Sequence, residues 1–180
     1  LRDDRTDRVR ETAAWALGNT RGPGGMSGLA RALHSDPDEK VRETAAWALG
    51  EHGDASAVDV LIGAAESDRS TTVRRTSAWA LGQLRSTDSR ATGALLHLLK
   101  DSDDDTRLRA AWALGQIGDS SAVPQLLNAL PAEKNSDVLR ALVRALTRSG
   151  GASTAAMREM VDSKDPQVRE AAVRAALVTG

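Results

Sequence analysis

Along this chain apolar residues return every three or four positions, in short stretches separated by polar turns. In residues 9–18 they are Val9, Ala13, Ala16 and Leu17, and residues 41–50 repeat that stretch letter for letter. This spacing marks one face of an α-helix. Weaker copies occupy 73–82 and 106–115, and degenerate ones 138–147 and 168–177. The equivalent central positions are Trp15, Trp47, Trp79, Trp112, Arg144 and Arg174, so the steps between copies are 32, 32, 33, 32 and 30 residues. A nearly fixed period of this size means stacked structural repeats.

A second apolar pattern lies between the copies: Ala57, Val58, Leu61 and Ile62 in one interval, and Val123, Leu126, Leu127 and Leu130 in another. Each repeat therefore reads as two helices, a helix A and a helix B that carries the repeated stretch. Helices A are expected near 25–34, 55–66, 89–100, 120–130 and 153–162, and helices B near 5–18, 38–50, 69–84, 104–117, 136–148 and 166–178. The expected fold class is all-α, a solenoid of about 11 helices forming a single array over residues 1–180. Ser35-Asp36-Pro37 and Lys164-Asp165-Pro166 place an Asp at the N-cap of helix B and Pro at its first position. Gly18, Gly50, Gly82 and Gly115 lie near its end, with Gly53, Gly118 and Gly150 closing it. The first helix B has no helix A before it, and the chain begins at Leu1, so it reads as an excerpt of a longer protein.

Composition narrows the functions open to this array. The chain is 41% hydrophobic and 27% charged, which suits a folded soluble domain. Its net charge of -1 gives no general attraction to nucleic acid or anionic membranes. With no cysteine there is no thiolate metal site, disulfide or thiol nucleophile, and no compartment is selected. No apolar run is long enough to span a membrane, so no insertion of this segment is expected. His34 and His97 fall on helices A and His52 in a turn, too scattered for a catalytic or metal-binding set; no cofactor is expected. The acidic run from Asp101 to Asp105 reads as a solvated turn whose carboxylates favour the next helix N-terminus.

The chain has neither Phe nor Tyr, and its four Trp all sit at one repeat position. A helix turns about 100° per residue. With Val9 at zero, Ala13, Ala16 and Leu17 form an apolar sector centred at about 40°, whereas Trp15 falls at about -120° and Glu11 at about -160°. The same holds for Trp47, Trp79 and Trp112, so the indoles point away from helix A. Copies of helix B line one surface of a solenoid, which turns the indoles into a ladder. Such a patch marks an interaction site, unless each ring lies flat beside the neighbouring helix B. One turn before each central position come Glu11, Glu43, Arg75, Leu108 and Arg140, so the ladder runs from acidic through apolar to basic. Trp112 and Arg144 are neighbours with the spacing for a cation–π contact. Arg10, Arg42, Arg74, Arg107 and Arg169 recur at the edge of the packed sector and are expected to grip a carboxylate or helix-end carbonyl of the adjacent repeat.

The recurrent pattern Asp-x-x-Val-Arg-x-x-Ala-Ala-x-Ala-Leu-Gly, followed by Gly-Asp-x-x-Ala-Val, resembles HEAT repeats of the short, phycobilin-lyase-like type. The resemblance weakens after Val138, where Leu139 replaces the Arg and Thr147 the Gly. It implies a right-handed α-solenoid whose helix-B surface is concave and binds proteins or peptides. Similar arrays are appended to larger bacterial proteins. The function expected is a protein- or peptide-binding scaffold that uses the concave ladder Trp15, Trp47, Trp79, Trp112, Glu11, Glu43, Arg75, Leu108, Arg140 and Arg144. The alternatives are a HEAT-like enzyme segment, akin to a DNA glycosylase or a chromophore lyase, and a self-associating structural domain. The acidic pI of about 6.4 disfavours nucleic acid.

Overall fold

The computed structural model describes residues 6–20 and 23–150, together with the isolated positions 158, 161, 162, 164, 166, 169, 170 and 173. Among the described residues there are nine α-helices and no strand. The B helices are α1 (Asp7–Asn19), α3 (Glu39–His52), α5 (Thr71–Leu84), α7 (Asp104–Ile117) and α9 (Ser136–Arg148). The A helices are α2 (Pro23–Ser35), α4 (Val58–Ser67), α6 (Ser89–Leu98) and α8 (Val123–Ala129). The helices expected near 153–162 and 166–178, with Arg174 and the Lys164-Asp165-Pro166 signal, lie outside the described residues apart from those isolated positions.

The helices form the two layers of an α-solenoid. Each B helix packs on the next, α1 on α3, α5, α7 and α9 in turn, and each A helix packs on the B helix that follows it. Leucines fill the space between layers: Leu29, Leu61, Leu95 and Leu126 from the A side and Leu49, Leu81, Leu114 and Leu146 from the B side are buried. Removing such side chains from water is the main driving force for the fold. Thr106 occupies the core column of Val41 and Val73, fully buried. Its hydroxyl donates to Asp103 at 2.7 Å, and the same carboxylate caps α7 by accepting from the Thr106 N–H, so the polar atom is satisfied.

Glycine acts in two ways here. Gly53, Gly118 and Gly150 take positive φ (70°, 71° and 76°) just after helix B, as expected of closing residues. In the second repeat's successor Arg85 takes that left-handed position instead, with φ 47°. Gly50 and Gly82, by contrast, lie inside helices and are buried. A Cβ on Gly50 would fall 2.8 Å from the Ala80 Cβ, and one on Gly82 would fall 2.9 Å from the Ala113 Cβ. These glycines therefore let consecutive B helices touch along their backbones, rather than ending them.

The N-cap signal needs correction. Asp38, not Asp36, caps α3, accepting from the Lys40 and Val41 N–H groups, and Pro37 precedes the helix. Asp36 is released for another task. Arg10 donates to its carboxylate at 2.8 Å and 3.0 Å. Arg42 repeats this with Asp68 at 2.7 Å and 2.9 Å, Arg74 with Asp101 at 2.9 Å, and Arg107 with Glu133 at 2.8 Å and 3.1 Å. Three of these arginines also reach back to their own A–B turn: Arg42 donates to the Asp36 carbonyl, Arg74 to that of Asp68 and Arg107 to that of Asp101. One residue thus offers its carboxylate to the preceding repeat and its carbonyl to its own helix B. The result is a continuous polar rail along the A–B turns, which bears out the expectation for these arginines.

The rail is largely dry, with side-chain exposures of 5% for Arg42 and 8% for Asp68. Burial pushes the Asp36, Asp68, Asp101 and Glu133 carboxyls up, but the guanidinium and backbone N–H donors outweigh it and hold all of them below their ordinary values. The acidic run at 101–105 is accordingly not a plain solvated turn. Asp101 is a rail residue, Asp103 a cap, Asp104 pairs with Arg107 and Asn135, and Asp105 with Arg75.

Candidate binding surface on the B helices

The indole column lies where consecutive B helices meet. Ala46 and Gly50 are buried as well as Val41, Ala45, Ala48 and Leu49, so the packed sector of helix B is far wider than its contact with helix A. The neighbouring B helices supply the extra cover. Gly50 faces α5 on one flank, and Ala48 faces Gly18 of α1 on the other. Tryptophan sits at the edge of this sector, at the seam, not diametrically opposite it.

This position makes the rings only partly open. Trp15 is 55% exposed, whereas Trp47, Trp79 and Trp112 are half-buried. The ring edges explain the difference. A Cβ on Gly18, Gly50 or Gly82 would lie 3.5, 2.8 or 2.7 Å from Cζ3 of Trp47, Trp79 or Trp112 respectively. Each of these indoles lies across the glycine of the preceding B helix and leaves its remaining surface on the solenoid face. Trp15 belongs to the first B helix and has no such glycine beneath it among the described residues.

The other ladder residues separate into spent and unspent groups. Glu11, Glu43 and Leu108 are half-buried on the same surface. Arg75 pairs with Asp105 at 3.4 Å, and Arg140 pairs with Asp137 three residues earlier. Arg144 and Arg148 are exposed on α9, and no carboxylate partner is found for either among the described residues.

Between α7 and α9 the surface opens into a groove of 550 Å³. Its walls include Leu108, Trp112 and Gln116 on α7 and Arg140, Arg144 and Arg148 on α9. The cause is the change from Trp to Arg in the central column. The space above Gly115 meets the Ala145 backbone at 3.2 Å but no aromatic ring, unlike the space above Gly82. The structure thus brings Leu108, Trp112, Arg140 and Arg144 to one concavity and leaves Trp15, Glu11 and Glu43 at the other end of the stack.

A larger recess, 1210 Å³, lies outside this surface, between α6, α8 and the A–B turns, and no spacing along the chain points to it. The acids lining it, Asp101, Asp104 and Glu133, are already engaged by arginines of the rail. The histidines remain dispersed. His34 and His97 are exposed on A helices. His52 ends α3 rather than lying in a turn, and its Nε2 donates to the Leu17 carbonyl at 2.9 Å, tying α3 to the end of α1. Among the described residues no cluster of His, Asp or Glu could hold a metal, and no helix is long and apolar enough to cross a membrane.

The sequence profile of HEAT repeats matches residues 26–105 and 92–177. The chain belongs to the HEAT-repeat family. No curated protein sequence matches it. Among solved structures it is similar to the complex of CpcE and CpcF of phycocyanin lyase from Nostoc, at 25% identity, covering 95% of this chain and 71% of that one with a TM-score of 0.71. It is also similar to a designed armadillo repeat protein in complex with the peptide (KR)4, at 18% identity, 96% and 91% coverage and a TM-score of 0.61. An engineered protein gives 21% identity, 99% and 96% coverage and a TM-score of 0.63. The fold is therefore that of the helical-repeat scaffolds.

Proposed function

We propose that this HEAT array is a peptide- or protein-binding scaffold whose ligand lies along the B-helix surface. The observation that carries the proposal is the line of half-buried indoles, Trp47, Trp79 and Trp112, each fixed by a glycine of the preceding helix and each leaving an open ring surface on one face. Rings already immobilised lose little conformational entropy on binding, and tryptophan and arginine dominate the energetics of interfaces. The armadillo design in complex with the peptide (KR)4, similar in fold, is a precedent for peptide binding by a helical-repeat protein.

The test is a peptide-array selection on the wild-type chain, followed by affinity measurements with Trp47→Ala/Trp79→Ala. A loss of tenfold or more in affinity, with helical circular dichroism retained, supports the reading. Unchanged affinity for every selected peptide contradicts it. The likeness to the phycocyanin lyase complex favours a second reading, in which the same face seats a partner subunit of a lyase.

A further inference from the structure

The groove between α7 and α9 carries an unbalanced charge. Arg109, Arg140, Arg144 and Arg148 line it, against the single carboxylate of Asp137. Asp137 is engaged by Arg140, so three guanidinium groups are left without a carboxylate among the described residues. Three of the four arginines sit at i, i+4 and i+8 of α9, one above another along one side of the groove. The opposite wall, on α7, combines the apolar Leu108 and Trp112 with Arg109 and Gln116.

Toward α1, the described part of the B-helix surface does not share this charge. Arg75 is neutralised by Asp105, and beyond it lie Glu43 and Glu11. Toward α1 the positive potential therefore ends about one repeat away among the described residues. A nucleic-acid backbone needs a longer basic track and would run into those glutamates. A polypeptide changes its charge from residue to residue and fits both ends.

We infer that the α7–α9 groove binds an acidic peptide segment, its carboxylates on Arg109, Arg144 and Arg148 and an adjoining apolar side chain against Trp112 and Leu108. This rests on the peptide-scaffold reading and adds to it the polarity of the ligand: the acidic part lies toward α9 and any basic part toward α3 and α1. The groove volume of 550 Å³ accommodates a few residues, so the acidic segment is short.

The experiment uses three labelled probes, the acetylated peptides (Glu-Leu)4 and (Lys-Leu)4 and the oligonucleotide dT8, with binding followed by fluorescence anisotropy. The proteins are the wild type, Arg144→Glu/Arg148→Glu and Trp47→Ala/Trp79→Ala. Both arginines are exposed, so their replacement leaves the fold intact, which circular dichroism checks. The expected result is that (Glu-Leu)4 binds at least tenfold more tightly than (Lys-Leu)4 and dT8. Its affinity falls at least tenfold in Arg144→Glu/Arg148→Glu, and severalfold between 50 and 300 mM salt. Binding that depends on Trp47 and Trp79 but not on Arg144 and Arg148 overturns the inference and leaves the scaffold reading standing. Binding of dT8 as tight as that of (Glu-Leu)4 overturns it in favour of an oligoanion site. Failure of both peptides to bind any of the proteins overturns it together with the scaffold reading.

Discussion

The ring of Trp79 lies over Gly50 so closely that a Cβ on that glycine would sit 2.8 Å from Cζ3. The pair explains why the two residue types recur together. The glycine removes the atom that would lift the next helix, and the indole covers the bare backbone that results.

The first consequence is a reversal of the usual effect of glycine replacement. In a helix interior Gly→Ala stabilises by about 1 kcal/mol through backbone entropy. Gly63, in the middle of α4, has nothing within 4 Å of its missing Cβ, so Gly63→Ala raises stability by about that amount. Gly50→Ala forces a methyl against Trp79 and Ala80 and lowers stability by about 1–3 kcal/mol. Urea denaturation of both variants checks the sign. A stabilised Gly50→Ala protein would mean that the B helices are not in this contact.

A second consequence concerns the polar rail. Arg42→Met strands the buried Asp68 carboxylate and the Asp36 carbonyl, and costs about 3 kcal/mol. Arg90→Met removes exposed pairs with Asp59 and Asp88 and costs far less. Denaturation midpoints of the two variants give the comparison. Equal losses would show that the rail contributes no more than an ordinary surface ion pair.

The rail also fixes the acid limit of stability. Its carboxyls bind protons less readily in the folded chain than in the unfolded one. Their contribution is therefore complete above the unfolded carboxyl values and is lost as pH falls through the lower, folded ones. The melting temperature is expected to hold between about pH 8 and 6 and to fall steeply below about pH 4.5, less so in Asp68→Asn, which starts lower. A melt that is flat to about pH 3 would contradict this.

Ser77 stands where three other copies have Ala13, Ala45 and Ala110, and its hydroxyl is fully buried with no protein partner. Ser77→Ala restores the repeat and raises stability by about 1 kcal/mol. Thermal melts decide this one. A destabilised variant would show that the hydroxyl is satisfied.

The fold was legible in the sequence because period, glycine and alanine columns all express the same stacking. The rail was legible in kind from the recurring Arg10, Arg42, Arg74 and Arg107. Its partners were misassigned at Asp36 because an Asp before Pro looks like an N-cap, while Asp38 performs that role. The depth of the tryptophans was legible only as an alternative, a ring lying flat beside the neighbouring helix B. A single-helix wheel registers contact with helix A only, and the cover of Trp47, Trp79 and Trp112 comes from the B helix of another repeat. The groove beside Trp112 depends on an absent ring at Arg144, which a column of letters shows only once the ring's neighbour is known.

The central claim is that the indole face is where a ligand lies, and the four tryptophans allow it to be read site by site. Protein labelled with 5-fluorotryptophan should give a 19F spectrum of four resonances, assignable by single Trp→Phe variants. On titration with (Glu-Leu)4 the Trp112 resonance is expected to move most, those of Trp79 and Trp47 less, and that of Trp15 least. A spectrum in which no resonance moves at saturating peptide, or in which Trp15 alone moves, would contradict the account.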